Sequence, residues 1–317
     1  MSTTKTVVTA CDHNFVWGAL LLGLSMRYHG MDCAYHILAY DLTPEDIRVL
    51  SSLPNTRLFP THKTDTRSVC TQKPMAIATA ETDIVVWMDA DCIVSGNLEK
   101  LFVTPDNKLQ IRKRQPEENA TIFRNYYRAR DEYGKIPQRI LATWQQDVGD
   151  LKSPRIDTVY QSNCFVLNRS HRDFISLWQS QMLKVIPSDT EGVYNKSSAA
   201  YFMTDESVLS SLFAFSSQAP QTAKYLMDIE PDATCIHFGL KPKPWQALTL
   251  QGLRHIDYID TLINWGAAEK IFLPALPASF RLENRKAEYR RAHLRNWGSN
   301  LRYNISTALR AALRFLK

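Results

Sequence analysis

Five consecutive apolar residues, Ile84-Val85-Val86-Trp87-Met88, run directly into Asp89-Ala90-Asp91. A short apolar run with no polar face reads as a strand buried on both sides, and such strands belong to parallel sheets covered by helices on each face. Two carboxylates two positions apart then fall at the carboxyl end of a central strand. That edge is where open α/β sheets bind their ligands. A pair of hard oxygen ligands there suits a divalent cation, Mg²⁺ or Mn²⁺, which in turn would neutralise a diphosphate leaving group. The bare Asp-x-Asp triplet arises by chance in a chain of 317 residues, so the rest of the chain has to support it.

The flanking pattern does. Residues 5–10, 34–40, 58–60 and 158–167 read as strands, and 233–237 as a last one. Between them lie an apolar helix over 16–29, helices over 73–80, 173–184 and 206–215, and a helix start at Thr43-Pro44-Glu45-Asp46, with a cap, Pro in the first turn and acids behind it. Strands alternating with helices predict an α/β fold with a mixed, mainly parallel sheet. The stretch 104–153 breaks the pattern with Arg112-Lys113-Arg114 and Tyr126-Tyr127-Arg128, and reads as a partly helical insertion on the acceptor side. Pro274 and Pro277 divide a body, 1–273, from a basic tail, 281–317.

Charge is distributed unevenly. The tail holds ten Lys/Arg against Glu283 and Glu288, so it carries +8 of a net +6, and the first 280 residues carry −2. A basic nucleic-acid-binding face in the body is therefore not expected, and nucleic acid is excluded as a partner. Six scattered cysteines without a Cys-x-x-Cys pair read as reduced thiols, neither a disulfide framework nor a zinc site. No run approaches the roughly 20 apolar residues of a membrane span, and Met1–Thr6 does not resemble a secretory signal. The expectation is a cytoplasmic chain.

A second motif lies far downstream. Cys235-Ile236-His237 ends an apolar run and is followed by Phe238-Gly239-Leu240-Lys241-Pro242-Lys243-Pro244-Trp245. A strand-end histidine can be a third metal ligand and a lysine six residues on can reach phosphate; the alternative is a core histidine followed by a basic surface turn. Strand–Asp-x-Asp with a distant His…Lys-Pro-Trp resembles glycosyltransferase family 8, the group of glycogenin and of bacterial lipopolysaccharide galactosyl- and glucosyltransferases. Other segments resemble it in the same order. Ala10, Asp12 and Phe15 match the opening nucleotide-binding loop, with Phe for Tyr, and Lys73 stands where the family keeps a basic residue for the donor. Tyr160–Asn168 resembles a family strand and Thr204-Asp205-Glu206 its Asp-Gln segment.

The resemblance covers 5–245. It implies the nucleotide-diphospho-sugar transferase (GT-A) fold, a UDP-sugar donor, Mn²⁺ (or Mg²⁺), and transfer of a hexose with retention to a glycan or lipid-linked glycan, as in surface polysaccharide synthesis. It further implies metal ligands Asp89, Asp91 and His237, and Lys243 on the diphosphate. Asp12 would meet the nucleoside, and Asp205 the donor sugar. Ala10, Phe15, Lys73, Ala90, Gln161 and Gly239 complete the donor site. The sequence departs from the family at Gln161 and Asn163, where Asn and Gly are usual, at Gly239, one place early, and at Glu206, which replaces Gln beside the reacting carbon. A carboxylate at 206 could stabilise an oxocarbenium-like transition state or attack it; equally it could cap a helix and point away.

In the tail, Leu294, Trp297, Leu301, Ile305, Ala308, Leu309, Ala312 and Leu316 recur at steps of three and four, with arginines on the flanks. The pattern fits a helix lying on an anionic membrane surface, here the inner face of the cytoplasmic membrane; docking against the body is the competing reading. Two other functions compete. One is a haloacid-dehalogenase-like phosphatase with Asp89 as nucleophile and Asp91 as acid/base. The other is a catalytically inactive, membrane-associated sugar-nucleotide-binding protein.

Overall fold

The computed structural model describes residues 3–62, 67–125, 134–190, 192, 194–226 and 234–315. Tyr126, Tyr127, Arg128 and Ala233 lie outside them, as do the side chains of Ala308, Leu309, Ala312 and Leu316. The chain forms two compact units, Met1–Ile236 and His237–Lys317.

The first unit alternates strand and helix: β1 (Lys5–Cys11), α1 (Val16–Tyr28), β2 (Ala34–Tyr40), α2 (Pro44–Ser51), β3 (Thr56–Thr61), α3 (Lys73–Ile77), β4 (Ile84–Met88) and β5 (Cys92–Val94). It continues with β6 (Leu109–Lys113), α4 (Pro116–Asn125), α5 (Gln138–Val148), β7 (Tyr160–Asn168), α6 (Arg172–Val185), α7 (Thr204–Phe215), β8 (Thr222–Ala223) and β9 (Cys235–His237). Seven strands make one sheet in the order β3-β2-β1-β4-β7-β6-β8. Only β7 runs against the others, being antiparallel to both β4 and β6. The mixed, mainly parallel α/β sheet expected from the sequence is what the chain forms.

Alternation along the strands sorts the core. Val8 and Ala10 of β1, Val85 and Trp87 of β4, and Phe165 and Leu167 of β7 join the buried cluster built with α3, α5, α6 and α7. The opposite face meets α1, where the buried Tyr35 donates its hydroxyl to the Ala19 carbonyl at 3.0 Å. All five side chains of β4 are buried; each contributes about 1.5–3 kcal/mol. α1 buries ten of its thirteen residues and α7 all twelve, which is why neither shows a polar stripe in sequence. The start of α2 is a complete capping box between Thr43 and Asp46. All six cysteines are free thiols.

The stretch 104–153 contributes β6 to the sheet as well as α4 and α5. β6 pairs with β7 through a register break: Ile111 faces Phe165, yet the next residue, Arg112, faces Gln161. Ser162, Asn163 and Cys164 are thereby bulged out of the β6 ladder, a device that re-aims side chains near functional edges.

In the second unit α8 (Leu250–Arg254), α9 (Ile256–Ala268) and α10 (Arg285–Phe315) follow the His237 loop. α10 docks by its first turns: Glu288 is buried, accepts from the Leu248 amide at 3.2 Å and pairs with Arg291, while Arg285 pairs with Asp260 at 2.9 Å. Ala292 is also buried. Beyond it Leu294, Trp297, Leu301 and Ile305 are exposed, Trp297 by 65%. Among the described residues no helix is long and apolar enough to cross a membrane.

Candidate active site

β4 ends at Met88 and the chain turns at once, with the Cys92 amide bonded to the Asp89 carbonyl at 2.9 Å. The Asp89 amide is held by the Asn163 carbonyl on bulged β7 at 2.8 Å. The turn therefore sets Asp89 and the buried Asp91 at the carboxyl edge of the central strand, where the sequence put them. Trp87 Nε1 donates to Asp89 Oδ1 at 2.8 Å.

Lys73, at the start of α3, reaches into this edge. Its ammonium sits 2.8 Å from Asp89 Oδ1 and 2.8 Å from Asp205 Oδ2, and donates to the Ser162 carbonyl and hydroxyl oxygens at 3.2 and 3.1 Å. Burial alone would push this ammonium down; Asp205 and Asp89 outweigh it and hold it well above the usual lysine range. The Ser162 hydroxyl donates to Asp205 Oδ2 at 2.7 Å. Asp205 opens α7 behind Thr204, which has φ +31°, an uncommon conformation for a β-branched residue. Strain of that kind costs about 1–3 kcal/mol and gathers at functional sites.

Glu206, next along α7, is buried, and both its oxygens are engaged by one guanidinium. Arg114 Nη2 lies 2.8 Å from Oε1 and 2.8 Å from Oε2, and its Nε lies 3.1 Å from Oε1. Glu206 thus stands in the first turn of α7 without capping it, and its carboxylate is fixed by a partner the sequence did not reveal. Gln161 accepts from Arg112, which also pairs with Glu118 at 2.8 Å. Arg112, Arg114, Ser162 and Trp87 are the site residues that sequence reading missed. Their one signal was two arginines two apart, flanking a lysine.

Asp89, Asp91, Asp205 and Glu206 stand near one another at this end of the sheet, with Lys73 and Arg114 holding three of them; carboxylate oxygens are hard ligands that suit a divalent cation. Among the described residues no donor meets the buried Asn163 Oδ1. Carboxylate donors at this edge fit a divalent cation.

The neighbouring β1 delivers Ala10 and Cys11 to the same edge, since β1 and β4 are parallel. Asp12 then uses its carboxylate to cap the following turn, accepting from the Asn14 amide at 2.9 Å, and Phe15 is half-buried. Ala90 is buried within the Asp89 turn. In the second unit, His237 closes β9 and its carbonyl accepts from Gln251 Nε2 at 2.8 Å. Gly239 has a physical cause: a Cβ there would lie 2.9 Å from His237 Cε1, so glycine leaves the imidazole where it is and a larger residue would displace it. Lys243 is buried and donates Nζ to the Phe238 carbonyl at 2.7 Å.

No protein-family model matches the chain, and no curated protein matches it. Solved structures do. The chain is similar to the bifunctional glycosyltransferase WbbM in its apo form, at 16% identity and TM-score 0.51, over 83% of this chain and 50% of that one. It is similar to the galactosyltransferase LgtC, solved with donor and acceptor sugar analogues, at 13% identity and TM-score 0.51, over 86% of this chain and 98% of that one. The chain thus spans about half of WbbM and nearly all of LgtC. The fold shared with these glycosyltransferases is the one the sequence resemblance implied.

Proposed function

We propose that this chain is a glycosyltransferase that moves a hexose from a UDP-sugar to a glycan or lipid-linked glycan, with retention and with a divalent cation. The observation that carries the reading is the placement of Asp89 and Asp91 at the carboxyl edge of β4, on a fold shared with glycosyltransferases. Asp89 and Asp91 would hold Mn²⁺ or Mg²⁺, with His237 as the further ligand that the family resemblance implies, and the cation would neutralise the diphosphate leaving group. Asp12 with Ala10 and Phe15 receives the nucleoside, and Lys243 the diphosphate.

The chain's own groups then act on the sugar. Lys73 ties Asp89 to Asp205, so the cation end and the sugar end of the site keep a fixed separation. Ser162 and Lys73 both occupy Asp205 Oδ2, which orients the carboxylate to accept from a sugar hydroxyl. Glu206 is a fixed negative charge whose two oxygens are shared with Arg114. That suits electrostatic stabilisation of an oxocarbenium-like transition state better than nucleophilic attack.

α10 lies on an anionic membrane surface through Leu294, Trp297, Leu301 and Ile305, with arginines at its flanks. Its docked first turns make truncation at 281 too severe a test. Leu294→Ser/Trp297→Ser/Leu301→Ser keeps them; this variant should lose flotation with phosphatidylglycerol vesicles, and equal flotation contradicts the membrane role.

The deciding experiment is UDP, GDP or dTDP release from a panel of nucleotide sugars with Mn²⁺, beside Asp91→Asn and a generic phosphatase substrate. Release of UDP from one sugar, abolished by the substitution and by chelator, supports the transferase. Turnover of the phosphatase substrate alone overturns it in favour of a haloacid-dehalogenase-like phosphatase. Tight donor binding without release to any acceptor marks an inactive binder.

A further inference from the structure

Arg112 and Arg114 stand two apart on and just beyond β6, so they share a face, while Lys113 between them is half-exposed and pairs outward with Asp157 at 2.7 Å. Each arginine grips one of the site residues at which the chain departs from its family resemblance, Arg112 holding Gln161 and Arg114 holding Glu206. The two grips are closed through the site itself: Gln161 adjoins Ser162, the Ser162 hydroxyl binds Asp205, and Asp205 adjoins Glu206. β6, β7 and α7 are thus joined in one circuit of side-chain bonds. The bulge in β7 makes it possible, by pairing Arg112 directly across from Gln161.

We infer that Arg112 and Arg114 are positioning residues that fix the hydrogen-bonding pattern shown to the transferred sugar, a donor from Gln161 and an acceptor from Glu206. The inference rests on the transferase reading and deepens it. Its logic lies in what a guanidinium can do. Arginine only donates, so the group of Gln161 that faces Arg112 is the carboxamide oxygen. The Nε2 hydrogens then point away from the guanidinium, and the amide cannot flip without setting donors against donors. Arg112 is itself anchored, since Glu118 accepts from it and from the Gln115 amide at 3.0 Å. Arg114 holds Glu206 as a fork, which a lysine cannot reproduce. A buried carboxylate at 206 requires this partner; a glutamine there would not. The arginine and the glutamate therefore form one functional unit.

The test compares kcat and KM for Mn²⁺-dependent hydrolysis of UDP-glucose, UDP-galactose, UDP-N-acetylglucosamine and UDP-N-acetylgalactosamine. The variants are Arg112→Met, Arg114→Met, Arg114→Lys, Glu206→Gln and Arg114→Met/Glu206→Gln, with a melting curve for each. Arg112→Met should narrow the kcat/KM ratio between the two best sugars about tenfold, by releasing the Gln161 amide. Arg114→Met should lower kcat about tenfold or more, Arg114→Lys less, and the double variant should recover to the level of Glu206→Gln alone. Should Arg114→Met not fold, Arg114→Lys against Glu206→Gln still reads the coupling. Wild-type sugar ratios in every folded variant, or a double variant no better than Arg114→Met, overturn the inference while the transferase stands. A wild-type protein that neither hydrolyses nor binds any of the four donors overturns both.

Discussion

Replacing Lys73 by methionine keeps an unbranched apolar stem, one atom shorter, and removes the charge and the donors. In the native site that ammonium is 6% exposed and lies 2.8 Å from two carboxylates, Asp205 at 6% and Asp89 at 22%. Taking one partner out of a buried ion group leaves uncompensated charge, which costs about 3–5 kcal/mol. For a unit the size of Met1–Ile236, where 1 kcal/mol moves the melting temperature about 2–4 °C, the loss is roughly 6–20 °C. Asp89 keeps some water, which places the expectation in the lower half of that range. Lys73→Arg should melt near wild type, and Lys73→Met/Asp205→Asn should regain part of the loss, because the second substitution removes the stranded charge. Mn²⁺ should raise the melting temperature of Lys73→Met more than that of wild type, since the substitution removes the cation that Asp89 and Asp205 share. The assay is thermal unfolding followed by circular dichroism, with Mn²⁺ and with chelator. A Lys73→Met protein melting within about 2 °C of wild type in chelator would refute the claim that these groups act as a buried triad.

Three further outcomes follow from single contacts. Trp87→Phe removes the 2.8 Å bond to Asp89 and part of a fully buried ring; denaturant unfolding should show a loss of about 2–4 kcal/mol, and a loss below about 1 kcal/mol contradicts the contact. Gly239→Ala places a methyl 2.9 Å from His237 Cε1; the imidazole should move, with a changed His237 resonance and Mn²⁺ affinity weakened about tenfold at unchanged fold. Burial raises Glu288, but Arg291, the Leu248 amide and Arg295 more than offset it and hold the carboxyl below its usual range. A depressed carboxyl gives stability above its unfolded value that is lost as pH falls through the folded one. The protection factors of amides 285–295 should therefore fall in acid, and Glu288→Gln should show the lower protection already at neutral pH with no acid step.

The carboxylates of the site were legible because each ends or begins a local pattern. Asp89 follows five apolar residues that nothing but a buried strand explains, and Asp205 stands before a helix. Lys73 was placed by resemblance, but its partners were not: the Ser162 it binds is 89 residues away. β5, three residues long, and β8, two residues long, are too short to carry a period. α7 gave no amphipathic signal because it is buried all round, with Ser207, Ser210 and Ser211 inside.

The counterions were illegible for a more general reason. A carboxylate's place on a strand end is decided by its neighbours in sequence, whereas the cation that holds it comes from another element. Arg114 reaches Glu206 across 92 residues, and Arg112 reaches Gln161 across 49. In sequence, Arg112-Lys113-Arg114 is a run of like charge, and such a run reads as a solvated face. What separates its members is the pleat: Lys113 turns out to Asp157, while the arginines on either side turn in toward residues that needed a donor. The same stretch looked like an insertion over the sheet because a strand with two charged inward positions violates the apolar alternation expected of a buried one. That violation coincides with the site. The chain gives up apolar packing at Arg112 in β6 and at Arg114 just past its end, and what it gains is a rigid hold on two residues at which it departs from its family resemblance, Gln161 and Glu206.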